Sequence, residues 1–206
     1  MGMRIYIDGK RKINDFGEMG FTHFGIGGPV ILTHSLFIVD CLKAEKRVEV
    51  SLDLKPALDE SKLDRRLLRD FEKRRIEPLS SVLRGLLPQQ LVETALSFCA
   101  IDGNLPAGEI TSEERKRLRI WLKNFKFSII GHRPLSEAII TAGGIKVQEI
   151  NPNTMESRLI QGLYVTGELL DINGETGGYN LQAAFSTGWL AGRSAAAASP
   201  SNDTLE

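Results

Sequence analysis

A glycine-rich stretch near the end of the chain carries residue types that can bind a polar ligand. The stretch GELLDINGETGGYNLQAAFSTGWLAG places Gly174, Gly177 and Gly178 just before an apolar run with the character of a helix. Such glycines let the backbone turn tightly and bring its amides close to a ligand. Either Thr176 or Asn180 can cap the helix that follows. The first amides of a helix suit an anion or an electron-rich carbonyl.

Glu168 supplies a second chemical group at this place. The run LYVTGELL is nearly continuous in apolar residues, which predicts a strand buried in a parallel sheet. Glu168 would then lie at the carboxyl edge of the sheet, where open α/β sheets bind their ligands. Its carboxylate can accept hydrogen bonds from sugar-like hydroxyls. On spacing alone, the alternative is that the glycines only form a tight turn between a strand and a helix.

The elements upstream of this unit begin with a β-rich region. The stretch MRIYIDGKRKI alternates in polarity around Asp8-Gly9, which predicts a hairpin. A loop with five glycines follows, and Pro29 then opens a run, VILTHSLFIVDCLKA, that predicts a mostly buried helix. The alternation in RVEVSLDL predicts a half-buried strand.

The character of the sequence changes at Pro56. Four successive segments predict helices, and in the first of them four apolar residues share one face, namely Leu63, Leu67, Leu68 and Phe71. Thr111 with Glu114 matches the capping-box pattern at the start of the last helix. We therefore expect a small helical module over residues 56–123.

Strands are expected again after this module, in FKFSIIG and in AIITAGGIKVQEI. A β-rich region split by a helical insert is the economical description, and the chain then ends in a strand–loop–helix unit and a flexible tail. The predicted parts are a β-rich domain over 1–55 and 124–150, the helical module over 56–123, the final unit over 151–193 and the tail over 194–206.

Two long motifs resemble one bacterial flavoprotein family. The run from Thr141 to Gly192, which begins TAGGIKVQEINPNTMESRLIQGLYVTGE, resembles the C-terminal region of NAD(P)/FAD-dependent oxidoreductases that include BaiN-type bile-acid reductases and aminoacetone-oxidase-like proteins. The upstream GEMGFTHFGIGGPVIL resembles a second family motif written around FTHxGxSGP. Gly27 stands where the family commonly has Ser.

The resemblance implies an α+β chain: a β-barrel-like insert domain that carries a small helical module, followed by the last strand–loop–helix of a Rossmann-type FAD-binding domain. It implies FAD as the cofactor and NAD(P)H as a possible reductant. Glu168 would contact the ribityl chain, and the start of the last helix would face the flavin pyrimidine ring and tune the cofactor toward reduction. The implied flavin contacts are Glu168, Asp171, Thr176, Gly177, Gly178, Tyr179, Asn180 and Leu181.

The resemblance also implies an N-terminal half with a GxGxxG turn, and that motif is not found in this sequence. The only GxG is Gly25-Ile26-Gly27, and Val30 occupies the place of the third glycine. We therefore expect a fragment that is inactive alone and that needs a missing or separately encoded FAD-binding half. Exposed apolar faces over 159–192 would favour a homodimer or local disorder. The other hypotheses are a non-catalytic binding or assembly module and one chain of a split two-chain flavoenzyme.

Several classes of function are not supported. Formal net charge is zero, and acidic residues interleave with the basic run that begins at Lys62, so we expect no nucleic-acid partner. The longest apolar runs are shorter than a membrane span and the chain opens without a signal peptide. Cys41 and Cys99 lie in apolar contexts, which favours reduced thiols in a cytoplasmic protein. The three histidines lack metal-ligand spacing, so no metal is expected.

Two short features are each open to two interpretations. His23, within the FTHFG motif, is the one weak candidate for a catalytic residue, as a proton donor near the flavin or substrate; a histidine satisfied within its loop is the alternative. The stretch from Thr141 to Gly144 is either a strand that approaches the cofactor closely or a bulge at a barrel corner.

Overall fold

The computed structural model of the protein describes residues 1–198. The chain divides into two compact units: unit 1 comprises residues 1–30 and 38–130, and unit 2 comprises residues 31–37 and the chain from Gly131 onward. Antiparallel strands and six α-helices make up the described part, which confirms the mixed α and β composition. The finer division into insert domain, helical module and final unit stays a prediction.

The chain opens with the predicted hairpin. Strands β1 (Gly2–Ile7) and β2 (Lys10–Phe16) pair antiparallel across the turn at Asp8 and Gly9. Both turn residues are left-handed, with φ of 50° and 76°. Two consecutive left-handed residues match the twist of the flanking strands, which is why an Asp-Gly pair favours this turn.

The glycine-rich segment that follows is more regular than the predicted loop. Strands β3 (Gly20–Thr22) and β4 (Gly25–Gly27) form a short second hairpin, and helix α1 (Pro29–Lys43) begins two residues later. Helix α1 starts at Pro29 as expected, because a proline at the first helical position gives up no hydrogen bond. Its burial is only partial, since Leu32 and Leu36 are about two-fifths exposed.

The start of α1 is occupied by the backbone that precedes it. The Val30 N–H donates to the Glu18 carbonyl at 3.2 Å. Gly28 has φ of 100°, and a Cβ at this position would lie 2.8 Å from the Met19 Cα. The backbone of Glu18 and Met19 therefore packs against the first turn of α1.

A four-stranded antiparallel sheet forms the centre of unit 1. Strands β5 (Val48–Asp53) and β6 (Phe125–Ile129) complete it in the order β2-β1-β5-β6. The core side chains from the two central strands are almost wholly buried: Met3, Ile5, Ile7, Val48, Val50 and Leu52. Within residues 1–198 the sheet keeps two open edges, so the antiparallel strands predicted for this region are present but a closed barrel is not formed there.

Four helices lie between β5 and β6, as the sequence predicts: α2 (Glu60–Lys73), α3 (Leu79–Leu83), α4 (Gln89–Cys99) and α5 (Ser112–Lys123). Their shared core contains Leu63, Leu67, Phe71, Leu79, Val82, Leu83, Val92, Ala95, Leu96, Leu118 and Leu122. Leu68 was predicted to share the buried face of α2 with Leu63, Leu67 and Phe71, but it is 44% exposed. The capping box at Thr111 and Glu114 is present in full.

The basic run of α2 is paired with its own acidic neighbours. Arg66 and Arg69 both contact Asp70, at 2.5 and 3.2 Å, and Arg74 contacts Glu77 at 2.5 Å. These pairs neutralise the charge locally, as expected for a solvated helix face.

Asp53 and Lys123 form an ion pair that is more than nine-tenths buried. Their charged atoms lie 2.6 Å apart, and the Lys123 ammonium also donates to the carbonyls of Lys55 and Leu58 at 3.1 and 2.6 Å. The Lys55 N–H donates to the other Asp53 oxygen at 2.9 Å. A buried ion pair is tolerated when its remaining donors and acceptors are satisfied in this way.

Unit 2 contains less regular structure than the sequence predicts. The strand predicted over AIITAGGIKVQEI is a loop with a 3₁₀ turn at Val147–Glu149, and the strand predicted over LYVTGELL is a loop with a 3₁₀ turn at Gly167–Leu169. One parallel bridge, between Ile145 and Leu170, joins the two segments. Both predictions of strands were wrong because an apolar run becomes a buried parallel strand only beside partner strands.

The last helix, α6 (Tyr179–Ala198), is longer than predicted. The predicted tail begins inside this helix at Ser194, and residues 199–206 lie outside the described part of the chain. A small core lies between α6 and the loops before it, made of Ile150, Met155, Val165, Leu170 and Ala191. That this unit is the last part of a Rossmann-type FAD-binding domain stays a prediction.

The expected exposure of apolar side chains in unit 2 is confirmed. Leu181, Phe185 and Trp189 follow one another at four-residue spacing on α6, and they are 65%, 71% and 63% exposed. Residues four apart share a face of a helix, so α6 presents a continuous apolar face. In residues 1–198, every helix is either too short or too polar to cross a bilayer.

We predict that replacing Lys123 with Met destabilises the protein by about 3 kcal/mol, because the buried Asp53 carboxylate loses its ammonium partner at 2.6 Å and keeps the more distant Arg4 at 3.7 Å. Urea denaturation followed by circular dichroism measures the loss. Lys116, exposed on the same helix, provides the matched control: Lys116→Met should change stability by less than about 0.5 kcal/mol. Equal effects of the two substitutions would contradict the role given to the pair.

Candidate functional site

Glu168 is held in place by one residue, Thr141. Both the backbone N–H and the hydroxyl of Thr141 donate to Glu168 Oε1, at 2.5 and 2.6 Å. Both hydrogen bonds from Thr141 hold the pKa of this exposed carboxyl below its usual range, because they stabilise its charged form. The hydroxyl has the larger effect and the backbone N–H the smaller one. Both hydrogen bonds end on Oε1, so Oε2 can accept a hydrogen bond from a ligand.

The segments that carry these two residues are joined by backbone pairing. The Ile145 N–H donates to the Leu169 carbonyl at 2.8 Å, and the Asp171 N–H donates to the Ile145 carbonyl at 2.9 Å. Gly144 has φ of 150°, and a Cβ there would lie 2.5 Å from the Leu169 oxygen. The glycine at 144 is therefore required by contact between the two backbones, which neither interpretation from sequence anticipated.

The glycine-rich loop is closed by Asn180. Its side-chain oxygen accepts from the Gly174 N–H at 2.8 Å, and its side-chain nitrogen donates to the Gly174 carbonyl at 2.9 Å. The helix itself begins at Tyr179, and the Gln182 N–H donates to the Gly178 carbonyl at 3.0 Å. Asn180 therefore lies inside the helix, so its predicted role as the cap was wrong. The first amides of α6 lack partners within the helix.

The 3₁₀ turn that carries Glu168 packs on α6. The Gly167 N–H donates to the Thr187 hydroxyl at 3.0 Å, and a Cβ at Gly167 would lie 3.5 Å from the Ala184 Cβ. Ala184 is five residues into the helix, about 8 Å along its axis from Tyr179. Glu168 and the start of α6 are therefore parts of one local arrangement within unit 2.

The remaining predicted flavin contacts are exposed in the same unit: Asp171, Thr176, Gly177, Gly178, Tyr179 and Leu181. The turn that carries Glu168 thus contacts α6 at Ala184 and Thr187, and the glycine-rich loop is joined to the start of the same helix through Asn180. His23 lies in the turn between β3 and β4, in unit 1, and is exposed.

Sequence reasoning did not find the residues that position Glu168. Thr141 opens the TAGG stretch, but it lies 27 residues before Glu168, a separation that no helix or strand period connects. Thr187 lies inside the apolar run of α6, where a threonine gives no sign of a partner. Only the three-dimensional structure shows both contacts.

The polar groups of this arrangement suit an organic ligand. An ionised carboxylate accepts hydrogen bonds from hydroxyls, and the amides of a helix start donate to a carbonyl oxygen or an anion. A flavin carries both groups, on its ribityl chain and its pyrimidine ring, so the residues present fit that part of the cofactor. In residues 1–198, no three His, Cys, Asp or Glu side chains cluster as metal ligands would.

We predict that Thr141→Val raises the pKa of Glu168 toward its usual value, since valine keeps the shape of threonine and removes one of two hydrogen bonds. Thr141→Ser keeps the hydroxyl and should leave the pKa low. Carbon-13 NMR titration of the side-chain carboxyl measures both. Because the folded pKa lies below the unfolded one, the contribution of Glu168 to stability is present above the unfolded pKa and is lost as pH falls through the folded pKa. An unchanged pKa of Glu168 in Thr141→Val would contradict the role given to the hydrogen bond from the Thr141 hydroxyl.

Comparison with known proteins confirms the resemblance drawn from the two motifs. The 3-dehydro-bile acid delta(4,6)-reductase of Clostridium scindens is 36% identical over 182 residues, which are 88% of this chain and 44% of that protein. The ribosomal RNA dihydrouridine synthase of Haemophilus influenzae is 29% identical over 84% of this chain and 41% of its own length. The enzyme of the same name from Escherichia coli is 30% identical, over 88% and 43%.

This chain therefore spans less than half the length of each of these relatives. The profile of one protein family matches most of the chain, over residues 2–140, and its description is "HI0933-like protein barrel and H2TH domain". The matched residues contain the open sheet and the four helices between its strands β5 and β6. On this match, the chain belongs to the HI0933-like family.

Proposed function

We propose that this chain forms part of an FAD-dependent oxidoreductase and holds the flavin end of the cofactor. The observation that carries the proposal is the Glu168 carboxylate, ionised and fixed by two hydrogen bonds from Thr141. It lies on a turn that packs against α6, whose first amides are donors. An acceptor for hydroxyls beside donors for a carbonyl is what a flavin requires of a protein at this end.

When bound, the flavin would supply hydride transfer from NAD(P)H to an acceptor. The residues of this chain bind and orient it: Glu168 accepts from a ribityl hydroxyl, and the amides at the start of α6 donate to the pyrimidine ring. Asn180 keeps the glycine-rich loop closed on Gly174. Thr141 fixes the position of the Glu168 carboxylate, whose charged form makes a stronger hydrogen bond than a neutral acceptor does.

The names of the relatives suggest the class of reaction. A delta(4,6)-reductase and a dihydrouridine synthase both describe the reduction of a carbon–carbon double bond in a ring. In such a step, a hydride with its two electrons adds to one carbon and a proton adds to its neighbour, while the nicotinamide is oxidised. We propose the same class here. His23, exposed in its turn, is the candidate that could donate the proton.

The part of FAD beyond the flavin requires further residues. We propose that a GxGxxG domain binds its ADP moiety, in a longer chain or in a separately encoded partner, and that residues 1–206 alone do not catalyse the reaction. We also propose that two copies associate through the apolar face of α6, which sedimentation would measure. Cys41 and Cys99 are buried and unpaired, which agrees with a reducing, cytoplasmic compartment.

We predict that the chain binds riboflavin, FMN and FAD with affinities within about threefold of one another, because its contacts involve only the shared flavin end. Quenching of flavin fluorescence measures the three constants. Glu168→Gln should weaken all three about tenfold, since a charged acceptor is replaced by a neutral one. Glu149→Gln, in the same unit, is the matched control and should change none of them.

Two outcomes would count against this proposal in different ways. Absence of saturable quenching with all three compounds would remove the flavin site. Binding of FAD more than about tenfold tighter than riboflavin would show that this chain itself holds the ADP moiety, and the proposed second domain would then be unnecessary.

A further inference from the structure

A cavity lies on the outer face of the four-stranded sheet in unit 1. Its volume is about 360 Å³, within the range of small-molecule sites. Three neighbouring strands line it: β2 with Asn14 and Phe16, β1 with Gly2 and Arg4, and β5 with Asp53. The lining positions alternate along β1 with the buried core residues, so the cavity opens on the side of the sheet that faces away from the core.

Gly2 leaves a gap in the middle of this face. It pairs with Phe16 on one side and with Asp53 on the other, and directly opposed residues of an antiparallel sheet point to the same face. The backbones of Phe16 and Asp53 are therefore two strand spacings, about 10 Å, apart. A planar ring with contacts on both faces requires about 7 Å. The gap admits such a ring, and Phe16, which is 69% exposed, supplies an apolar wall.

Arg4 supplies hydrogen-bond donors at the cavity. Its Nη1 donates to the side-chain oxygen of Asn124 at 2.8 Å, and its Nη2 lies 3.7 Å from Asp53 Oδ2. These two contacts fix the position of the guanidinium. Because a guanidinium has five N–H donors in a rigid fork, Arg4 keeps donors for a ligand.

Asp53 supplies acceptors beside those donors. Its Oδ1 accepts from the Lys55 N–H at 2.9 Å, and its Oδ2 lies 2.6 Å from the Lys123 ammonium. A carboxylate has about four acceptor positions, so Asp53 can accept further hydrogen bonds. Asp53 is only 7% exposed, and a hydrogen bond in such surroundings is stronger than one in water.

We infer that this cavity binds a guanine ring. The carboxylates of Asp15 and Asp53 in its lining repel an anion and the guanidinium of Arg4 repels a cation, so a neutral ring is favoured. Guanine presents O6 and N7, the acceptor pair that an arginine fork binds. Its N1–H and 2-amino group are donors that suit a carboxylate. The 3.7 Å between Arg4 and Asp53 places a donor next to an acceptor, as the adjacent O6 and N1–H of guanine require.

A titration of guanosine followed by nitrogen-15 NMR tests this assignment. We expect saturable shifts of the amide signals of Gly2 and Phe16. Inosine lacks the 2-amino group and 7-deazaguanosine lacks N7, so each should bind about tenfold more weakly, because one hydrogen bond to a charged group is lost. Adenosine lacks both O6 and N1–H and should bind more weakly than either.

Phe16→Ala should weaken guanosine binding about tenfold, as expected for the loss of a stacking ring. Phe98→Ala is the matched control, because Phe98 is 68% exposed in the same unit and lies outside the cavity lining. Phe98 belongs to an aromatic cluster around Phe125 that also contains Phe21, Trp121 and Phe127. Its removal should leave guanosine binding unchanged.

Arg4→Lys keeps the charge and removes the fork. Guanosine should then bind about tenfold more weakly and no more tightly than 7-deazaguanosine, because the contact with N7 is the one that is lost. A merely structural effect of the substitution would weaken both ligands and keep the ratio of their affinities. This comparison therefore separates recognition by Arg4 from a change in the fold.

Four results would overturn the inference: shifts that do not saturate with guanosine, shifts confined to unit 2, equal binding of guanosine and adenosine, or unchanged binding in Phe16→Ala. The flavin contacts proposed above lie in unit 2, so the two sites can fail separately. Glu168→Gln should leave guanosine binding unchanged, and Phe16→Ala should leave flavin binding unchanged. Loss of guanosine binding in Glu168→Gln would assign it to the flavin site and refute the cavity.

Discussion

The buried ion pair between Asp53 and Lys123 joins the two halves of unit 1. Asp53 ends β5 and Lys123 ends α5, immediately before β6, so the pair lies where the helical module leaves the sheet and returns to it. The Leu54 N–H donates to the Leu122 carbonyl at 2.9 Å at the same place. Strands β5 and β6 can pair as neighbours only if the long connection between them is closed there, which costs conformational entropy. The edge strand, and with it the aromatic cluster around Phe125, depends on this closure.

Patterns that are local in sequence predicted most of unit 1. The Asp8-Gly9 turn predicted its hairpin, and the spacing of Leu63, Leu67 and Phe71 predicted α2, because each pattern depends on residues a few positions apart. The strand expected over LYVTGELL was not found, because its formation requires neighbours that a local pattern does not contain. An apolar run shows that a segment is suited to burial and does not show what will bury it.

The candidate site shows the same limit. The motif placed Glu168 and the start of α6 in one flavin site, which stays a prediction; the structure shows that the turn carrying Glu168 contacts α6 at Ala184 and Thr187. The hydrogen bonds that Thr141 donates to Glu168 and that Thr187 accepts from Gly167 were not predictable, because the paired residues lie 27 and 20 positions apart. The aromatic cluster around Phe125 was missed for the same reason: Phe21, Phe98 and Phe125 lie on three different elements.

The small core of unit 2 connects the exposed face of α6 with the site. Five residues are buried in this core, and little apolar burial means little free energy to hold the loops in place. The turn that carries Glu168 is tied to α6 through the hydrogen bond from Gly167 to Thr187. Any surface that covers Leu181, Phe185 and Trp189 stabilises the helix, and through that hydrogen bond it also stabilises the turn. The apolar face of α6 and the turn that carries Glu168 therefore belong to the same folded unit, and what stabilises one stabilises the other.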